Sequence, residues 1–341
     1  MKNFKVLIFL ILWAVFLCAC SKHQEKTYKE SRESLHTIVS ITVVSDSSDK
    51  AKSAIDKAYN ELDRLAKLLN FYAEDSEVSA INRHAGDRPV KVSAETFEII
   101  EKALYASRNT EGAFDITVGP VVKLWDFKNK VMPNTEQIRE KTKIIGYRHI
   151  VIDRPASTVF LEKKGMQIDL GGIIKGYAAD KAVAVLKANG IKSGIVAAAG
   201  DIKTFGKRQD GSLWSVGIKN PRQKSGADEI IAVVNLSNQA ISTSGDYERY
   251  FEKNGVRYHH ILDPQTGQPA YGCRSVTIVA KDAAVTDAFS TGIFVLGPKK
   301  GIDVLNRLGI DAVIIDKDGK VYITDGLKNS IELMIKDSPF A

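Results

Sequence analysis

Cysteine is scarce in this chain: three in 341 residues, at positions 18, 20 and 273. With the first two in an N-terminal leader, Cys273 is the only thiol of the body, so no intrachain disulfide can form. No C-x-x-C pair exists for a metal or redox centre. Also missing are G-x-G-x-x-G, G-x-S-x-G and H-E-x-x-H, which removes the simplest dehydrogenase, serine-hydrolase and zinc-protease readings. Gly200–Arg208 has the look of a phosphate loop, but five residues separate Gly200 from Gly206. Arg208 also stands where a Mg²⁺-binding Ser or Thr belongs, so a Walker-type site is rejected. The net charge of +7 is mild, and no arginine stripe alternates with aromatics, which argues against nucleic-acid binding. Low-complexity segments and visible repeats are absent.

What is present begins with the leader. Met1–Lys5 is short and basic, and Val6–Leu17 is apolar over 12 residues, fewer than the roughly 20 of a bilayer-spanning helix. It reads as an export signal. The run ends in Leu17-Cys18-Ala19-Cys20, similar to a bacterial lipoprotein signal cleaved after residue 19 and lipidated on Cys20. An ordinary signal peptide or an uncleaved anchor is the alternative, and each predicts an exported chain tethered to a membrane on its extracytoplasmic side. Loss of Lys2 and Lys5 with the leader lowers the net charge from +7 to +5. Residues 20–34 are polar and predict a flexible tether, with a root-mean-square reach of about 20 Å. Residues 35–341 then form a single domain, long enough for one large core.

Periodicity organises that domain. His36–Ser45 alternates as a half-buried strand, and Ser47 or Ser48 caps a helix to about Asn70 with Ile55, Ala58, Leu62, Leu65 and Leu69 at helical spacing. A loop over 71–86 follows. Further helices are predicted from Val92-Ser93 to about Arg108 and from Asn134 to about Ile145. Phe114–Phe127 wraps a site. From Ile150 onward short strands alternate with turns, including 166–170, 194–198, 239–242, 256–262 and 274–280. Helices at 283–296 and 298–308 lead into strands near 311–315 and 320–323. Strands exchanging through short turns beside paired helices predict an α+β fold with mostly antiparallel sheets.

Three clusters carry chemistry. In Ile168–Asp180, Gly171 and Gly172 precede Lys175 and a helix over Tyr177–Leu186, so amide donors and a cation stand together, as a phosphate requires. A tight helix-on-sheet turn accounts for the glycines equally well. In Thr286–Thr291, Asp287 and Thr291 are four apart and share one helix face. Carboxylate and hydroxyl make a hard-oxygen pair for Mg²⁺ or Ca²⁺; the alternative is that Asp287 caps and Thr291 packs. His259-His260 precedes the Asp263-Pro264 turn, where a neutral imidazole can act as a base or bind phosphate. Strand alternation leaves only one of the two free for function. Ala240–Tyr247 reads as a strand ending in small hydroxyl residues.

Taken in order, FDITVGPVVKLWDF, IDLGGIIKGYAAD, AAGDIKTFG, AISTSGDYERYF, HHILDPQTG and VTDAFSTG resemble the successive motifs of the ApbE family of FAD:protein FMN transferases, over roughly residues 34–330. The resemblance implies a T-fold-related architecture of two intertwined α+β halves, β-β-α-α-β-β in each, with the site between them. It implies that FAD is cut, its FMN part passing to a Thr or Ser hydroxyl of an exported or membrane redox protein while AMP leaves. Asp287, Thr291 and the backbone carbonyl of Ile174 match the family's Mg²⁺ or Ca²⁺ ligands. Asp115, Asp169 and Lys175 match FAD-contacting positions, and His260 matches the motif histidine, a candidate base. Two positions depart from the pattern: His36 replaces the Gly of Met-Gly-Thr, and Ala199 the first Gly of Gly-Gly-Asp. Hydrolysis of FAD to FMN and AMP, or flavin binding without catalysis, are the competing functions.

Overall fold

The computed structural model describes residues 25–222, 229–328 and 331–334. The leader and Cys20 lie outside the described residues. Among the described residues no helix is long and apolar enough to cross a membrane. Helices are α1 (Ser48–Leu68), α2 (Glu77–Arg83), α3 (Ala94–Asn109), α4 (Gly119–Val122), α5 (Thr135–Thr142), α6 (Ile174–Ala188), α7 (Ala283–Leu296) and α8 (Pro298–Leu308). The strands are β1 (Lys26–Ser34), β2 (Thr37–Ser45), β3 (Val90–Lys91), β4 (Ile150–Asp153), β5 (Thr158–Leu161), β6 (Ser193–Ala198), β7 (Asp201–Phe205) and β8 (Trp214–Lys219). They continue as β9 (Ile230–Leu236), β10 (Ala240–Gly245), β11 (Tyr250–Lys253), β12 (Val256–His259), β13 (Cys273–Ala280), β14 (Asp311–Asp316), β15 (Val321–Ile323) and β16 (Ile331–Leu333).

Eight strands make one sheet in the order β1-β2-β6-β7-β10-β13-β14-β15, and every neighbouring pair is antiparallel. The order divides at the β7–β10 seam. On one side β1 and β2, helices α1 and α6, then β6 and β7 follow a β-β-α-α-β-β path. On the other, β10 and β13, α7 and α8, then β14 and β15 repeat it. Both the α+β class and the antiparallel pairing therefore match the sequence reading.

Side-chain alternation builds two layers of core, because successive strand residues point to opposite faces. Val39, Ile41 and Val43 of β2, with Val276 and Ile278 of β13 and Ala312 and Ile314 of β14, pack under the helices. Ile241, Val279, Val313 and Ile315 face the other way and meet Val216, Ile218 and Val234 of the small β16-β9-β8 sheet. Helix starts follow their caps: Ser47, Ser93 and Asn134 each accept a first-turn amide, and Asn134 forms a full capping box with Gln137.

Four expectations need correction. The tether predicted over 20–34 is an edge strand from Lys26 on, paired residue for residue with β2. Its composition hides the strand because the face turned to α1 is itself largely polar. Glu30, Arg32 and Ser34 meet Tyr59, Asp56 and Asp63 there, and only Tyr28 reaches the apolar core. Residues 166–170 form no strand; among the described residues their only ladder contact is an isolated bridge from Gln167 to Val118. The loop predicted at 71–86 contains α2, capped by Ser76. Asp201–Phe205, set aside as a failed phosphate loop, is strand β7, and Lys175 sits inside the first turn of α6 rather than ahead of it.

Candidate active site

The strand directions place one end of the sheet apart. β6 ends at Ala198, β7 begins at Asp201 and β10 ends at Gly245, so their tips share an edge with the start of α6 and the C-terminal half of α7. The two helices meet at Gly176. A Cβ there would overlap the Ala283 carbonyl and stand 2.8 Å from Cβ of Asp287, so only glycine allows this approach. Contact this close sets Asp287 against the start of α6, where Gly176 N donates to Asp287 Oδ2 at 3.0 Å. Ile173, at the N-cap, offers no side-chain acceptor. Asp287 thus caps α6 from a different helix, and an amide expected to face phosphate is taken by a carboxylate.

Around Asp287 the charges do not balance. Lys175 Nζ forms an ion pair with Asp201, which is 1% exposed. Burial opposes the lysine's charge, but Asp201 and Asp287 outweigh it and hold its pKa above the ordinary value. Burial, and then the like charge of Asp201, push Asp287 up to about 7 against the pull of Lys175 and the Gly176 amide. Two buried carboxylates share one lysine. One helical turn on, Thr291 Oγ1 lies 3.1 Å from Ser244 Oγ, which lies 2.8 Å from Ser290 Oγ. Gly172 keeps the incoming loop close: a Cβ there would stand 3.1 Å from the Phe114 ring and 3.6 Å from Thr291 Oγ1.

Ile174, Lys175, Asp287 and Thr291, separated by more than a hundred residues, are therefore one cluster. His260 and Asp169 adjoin it through Arg249, whose charge acts on Lys175, His260 and Asp169. The guanidinium of Arg249 makes no hydrogen bond or ion pair among the described residues; its carbonyl accepts from His260 N at 3.1 Å. Of the adjacent imidazoles, His259 is fully committed: Nε2 donates to Ala270 O at 2.7 Å and Nδ1 accepts from Ile261 N. His260 Nδ1 is shut from solvent and unpartnered. Burial, with Arg249 and His259 adding to it, lowers His260 to about 3, so it is a neutral imidazole. Asp169 accepts from Gly171 N at 2.9 Å, and burial raises its pKa.

Asp115 is different. Its Oδ1 accepts from the amide and hydroxyl of Thr117, and Oδ2 from Tyr147 N at 2.7 Å, so the carboxylate ties together the loop predicted to wrap the site.

Sequence reasoning gave no role to Asp201, Ser244, Arg249 or Tyr72. The last is 71% exposed, and the charges of Asp169 and Arg249 act on its hydroxyl. A signal for Asp201 existed in Ala199-Gly200, a strand-reversing turn just ahead of it. Both departures from the family pattern fall on left-handed backbone, with φ of 58° at His36 and 55° at Ala199. Each non-glycine residue there costs about 1–2 kcal/mol, and by register both turns overhang the same end of β2 and β6.

A metal suits the donor set. Among the described residues no group of three or more His, Cys, Asp or Glu side chains could hold an ion. Yet a carboxylate in charge excess beside two hydroxyls is a hard-oxygen arrangement of the kind Mg²⁺ and Ca²⁺ take with a carbonyl and waters.

Comparison with known proteins identifies the family. The chain is 34% identical over 272 residues to a Klebsiella pneumoniae protein named FAD:protein FMN transferase, covering 79% of this chain and 84% of that one. A Haemophilus influenzae protein of the same name is 31% identical over 329 residues, 93% and 94% of the two chains. Among solved structures, the ApbE protein of Thermotoga maritima superposes with a TM-score of 0.82 at 36% identity, covering 89% of this chain and 99% of that one. The flavin transferase ApbE from Vibrio cholerae gives 0.79 at 30% identity, covering 90% and 99%. The ApbE family model matches residues 35–314, and the chain belongs to the ApbE family.

Proposed function

We propose that the chain is an FAD:protein FMN transferase, moving FMN from FAD to a Thr or Ser hydroxyl of an exported or membrane redox protein. The observation that carries this reading is the charge excess at the α6–α7 crossing, where buried Asp201 and Asp287 share Lys175 beside Thr291. The Ile174 carbonyl, Asp287 and Thr291 would hold Mg²⁺, or Ca²⁺. When bound, such an ion neutralises the diphosphate oxygens and the departing phosphate.

The chain's own groups account for the rest. Lys175 is committed to Asp201 and Asp287, so the cation left for the FAD diphosphate is Arg249, whose guanidinium is unpaired among the described residues. The exposed Tyr72 ring offers a flat apolar face to a flat ring system. In the transfer, the acceptor oxygen bonds to the FMN phosphorus, the bond to the AMP oxygen breaks, and the hydroxyl proton must leave. A neutral His260 or a nearby Asp is the candidate to accept that proton. The Nδ1 atom of His260 is shut from solvent and does not itself meet the acceptor hydroxyl. A diphosphate nearby raises the basicity of His260, since an anion favours the imidazolium. We infer further that Cys20 carries a lipid and holds the enzyme on the extracytoplasmic face of a membrane.

Incubation with FAD, Mg²⁺ and a candidate acceptor tests the reading. In-gel flavin fluorescence on the acceptor, abolished by EDTA and restored by Mg²⁺, is the expected result. Free FMN without labelled acceptor means hydrolysis, and unchanged FAD over hours means a binder only. Full activity after exhaustive EDTA treatment refutes the metal.

A further inference from the structure

The cleft and the point where the chain enters the fold lie at opposite ends of the central sheet. β1 starts at Lys26, opposite Ser45, and runs toward the turn at Leu35-His36 on the cleft side. β2 carries the chain back, and its Val44 faces Ser193 at the far end of β6. At about 3.4 Å per residue, the nine residues of β1 separate the two ends by roughly 27 Å. The leader that precedes Lys26 contains the apolar run Val6–Leu17 and Cys20, and the six steps from Cys20 to Lys26 span at most about 20 Å. The tether expected from the sequence would have let the domain tumble. With β1 built into the sheet, a short leash leaves from one end only.

That end is also slightly basic. Lys26, Lys192, Lys207 and Arg208 are exposed there, against Glu25, Asp46 and Asp210. Their proximity is fixed by the sheet: Gly206 lies against Lys192 and Ser193, and the Ser193 hydroxyl bonds to the Lys207 carbonyl. Thr27 lies beside Gln209. One net positive charge binds a bilayer only weakly in free solution. Once the chain is tethered, however, contact becomes intramolecular and weak attraction suffices to orient it.

We propose that the Lys26 end of the sheet rests on the anionic bilayer and holds the cleft a strand length or more away, opening outward. This rests on the membrane-tethered reading of Cys20. It narrows the acceptor class: the modified hydroxyl is carried on a domain standing well off the membrane, and a hydroxyl at the bilayer surface is out of reach.

The test uses the full chain, expressed with its leader and reconstituted in vesicles of phosphatidylcholine with phosphatidylglycerol and a headgroup-labelled acceptor dye. A donor is attached at Thr27→Cys or Glu33→Cys, exposed positions on one face of β1 about 20 Å apart; the native Cys273 is buried. Energy transfer at position 27 is expected to exceed that at position 33 at least twofold. The gap should shrink in pure phosphatidylcholine, in high salt, and on adding Lys207→Glu with Arg208→Glu. Equal transfer at both positions, or more at 33, overturns the orientation. Flotation of the same samples reads the anchor separately: protein that stays out of the vesicle fraction, unlike a Cys20-lipidated control lipoprotein, overturns the tether and the proposal with it.

Discussion

Two places in this molecule bury a carboxylate, and they solve the problem in opposite ways. Asp115 receives three donors, from Thr117 and Tyr147, and meets no second carboxylate; burial alone raises its pKa. Asp287 receives the Gly176 amide, faces Asp201, and competes with it for Lys175. A fully satisfied buried acid is a structural fastener. One left in charge excess, at a helix crossing that only glycine permits, is a place kept ready for something positive. On the proposed function, the contrast predicts a stabilising role for Asp115 and a reactive one for Asp287, positions that the family resemblance marks as an FAD contact and a metal ligand.

The largest effect is expected where the crossing itself is disrupted. Gly176→Val should cost more than about 3 kcal/mol, through overlap with Ala283 in a core that cannot expand, measured as a shift in urea midpoint at constant slope. Asp287→Asn sharpens the comparison most directly. It should lower FMN transfer at least about 100-fold, equivalent to about 2.7 kcal/mol in the barrier, while stability stays level or rises because the repulsion from Asp201 is gone. Asp115→Asn should do the reverse in stability. Its new amide hydrogens confront the donors of Thr117 or Tyr147, a loss of about 1–3 kcal/mol. If the two asparagine variants destabilise alike, the contrast between these regions is wrong.

A pH series probes the cleft side further. His260 is held neutral down to about 3, whereas the unfolded chain takes up the proton near 6.5. Between those values the unfolded state binds more protons, so stability falls as pH drops, by up to about 1.4 kcal/mol per unit. The contribution is fully present above 6.5. Denaturation curves of His260→Gln should show a flatter acid limb than the parent. The smallest effect belongs to the rim: Ala199→Gly should stabilise by about 1 kcal/mol, by relieving the left-handed alanine, visible as a modest rise in Tm.

Much of the architecture was legible in the chain because its signals are local. Ser47, Ser93 and Asn134 mark helix starts through their own hydroxyl and amide groups, and Val39, Ile41 and Val43 announce a buried strand face by alternation. The spacing of Asp287 and Thr291 likewise put two oxygens on one helix face before any fold was known. What stayed hidden depends on partners distant in sequence. The pairing of Lys175 with Asp201 crosses from a helix to a strand tip, and nothing in either neighbourhood encodes it. The committed state of His259 against the open nitrogen of His260 depends on Ala270 folding back over the hairpin. β1 was misread for a related reason: its partner strand, rather than its composition, makes it a strand.

That same strand bears on how the protein behaves when concentrated. Among the described residues, β1 leaves one side of its backbone ladder unpaired, which is an invitation to a second sheet. Along it, Lys26, Lys29, Glu30, Arg32 and Glu33 place charges of both signs every few ångströms. A neighbouring copy sliding into register would bring like charges together as often as unlike, and would strip water from each. Preparations stripped of the leader should therefore stay monodisperse at high concentration, with no tendency to stack into fibres from this margin.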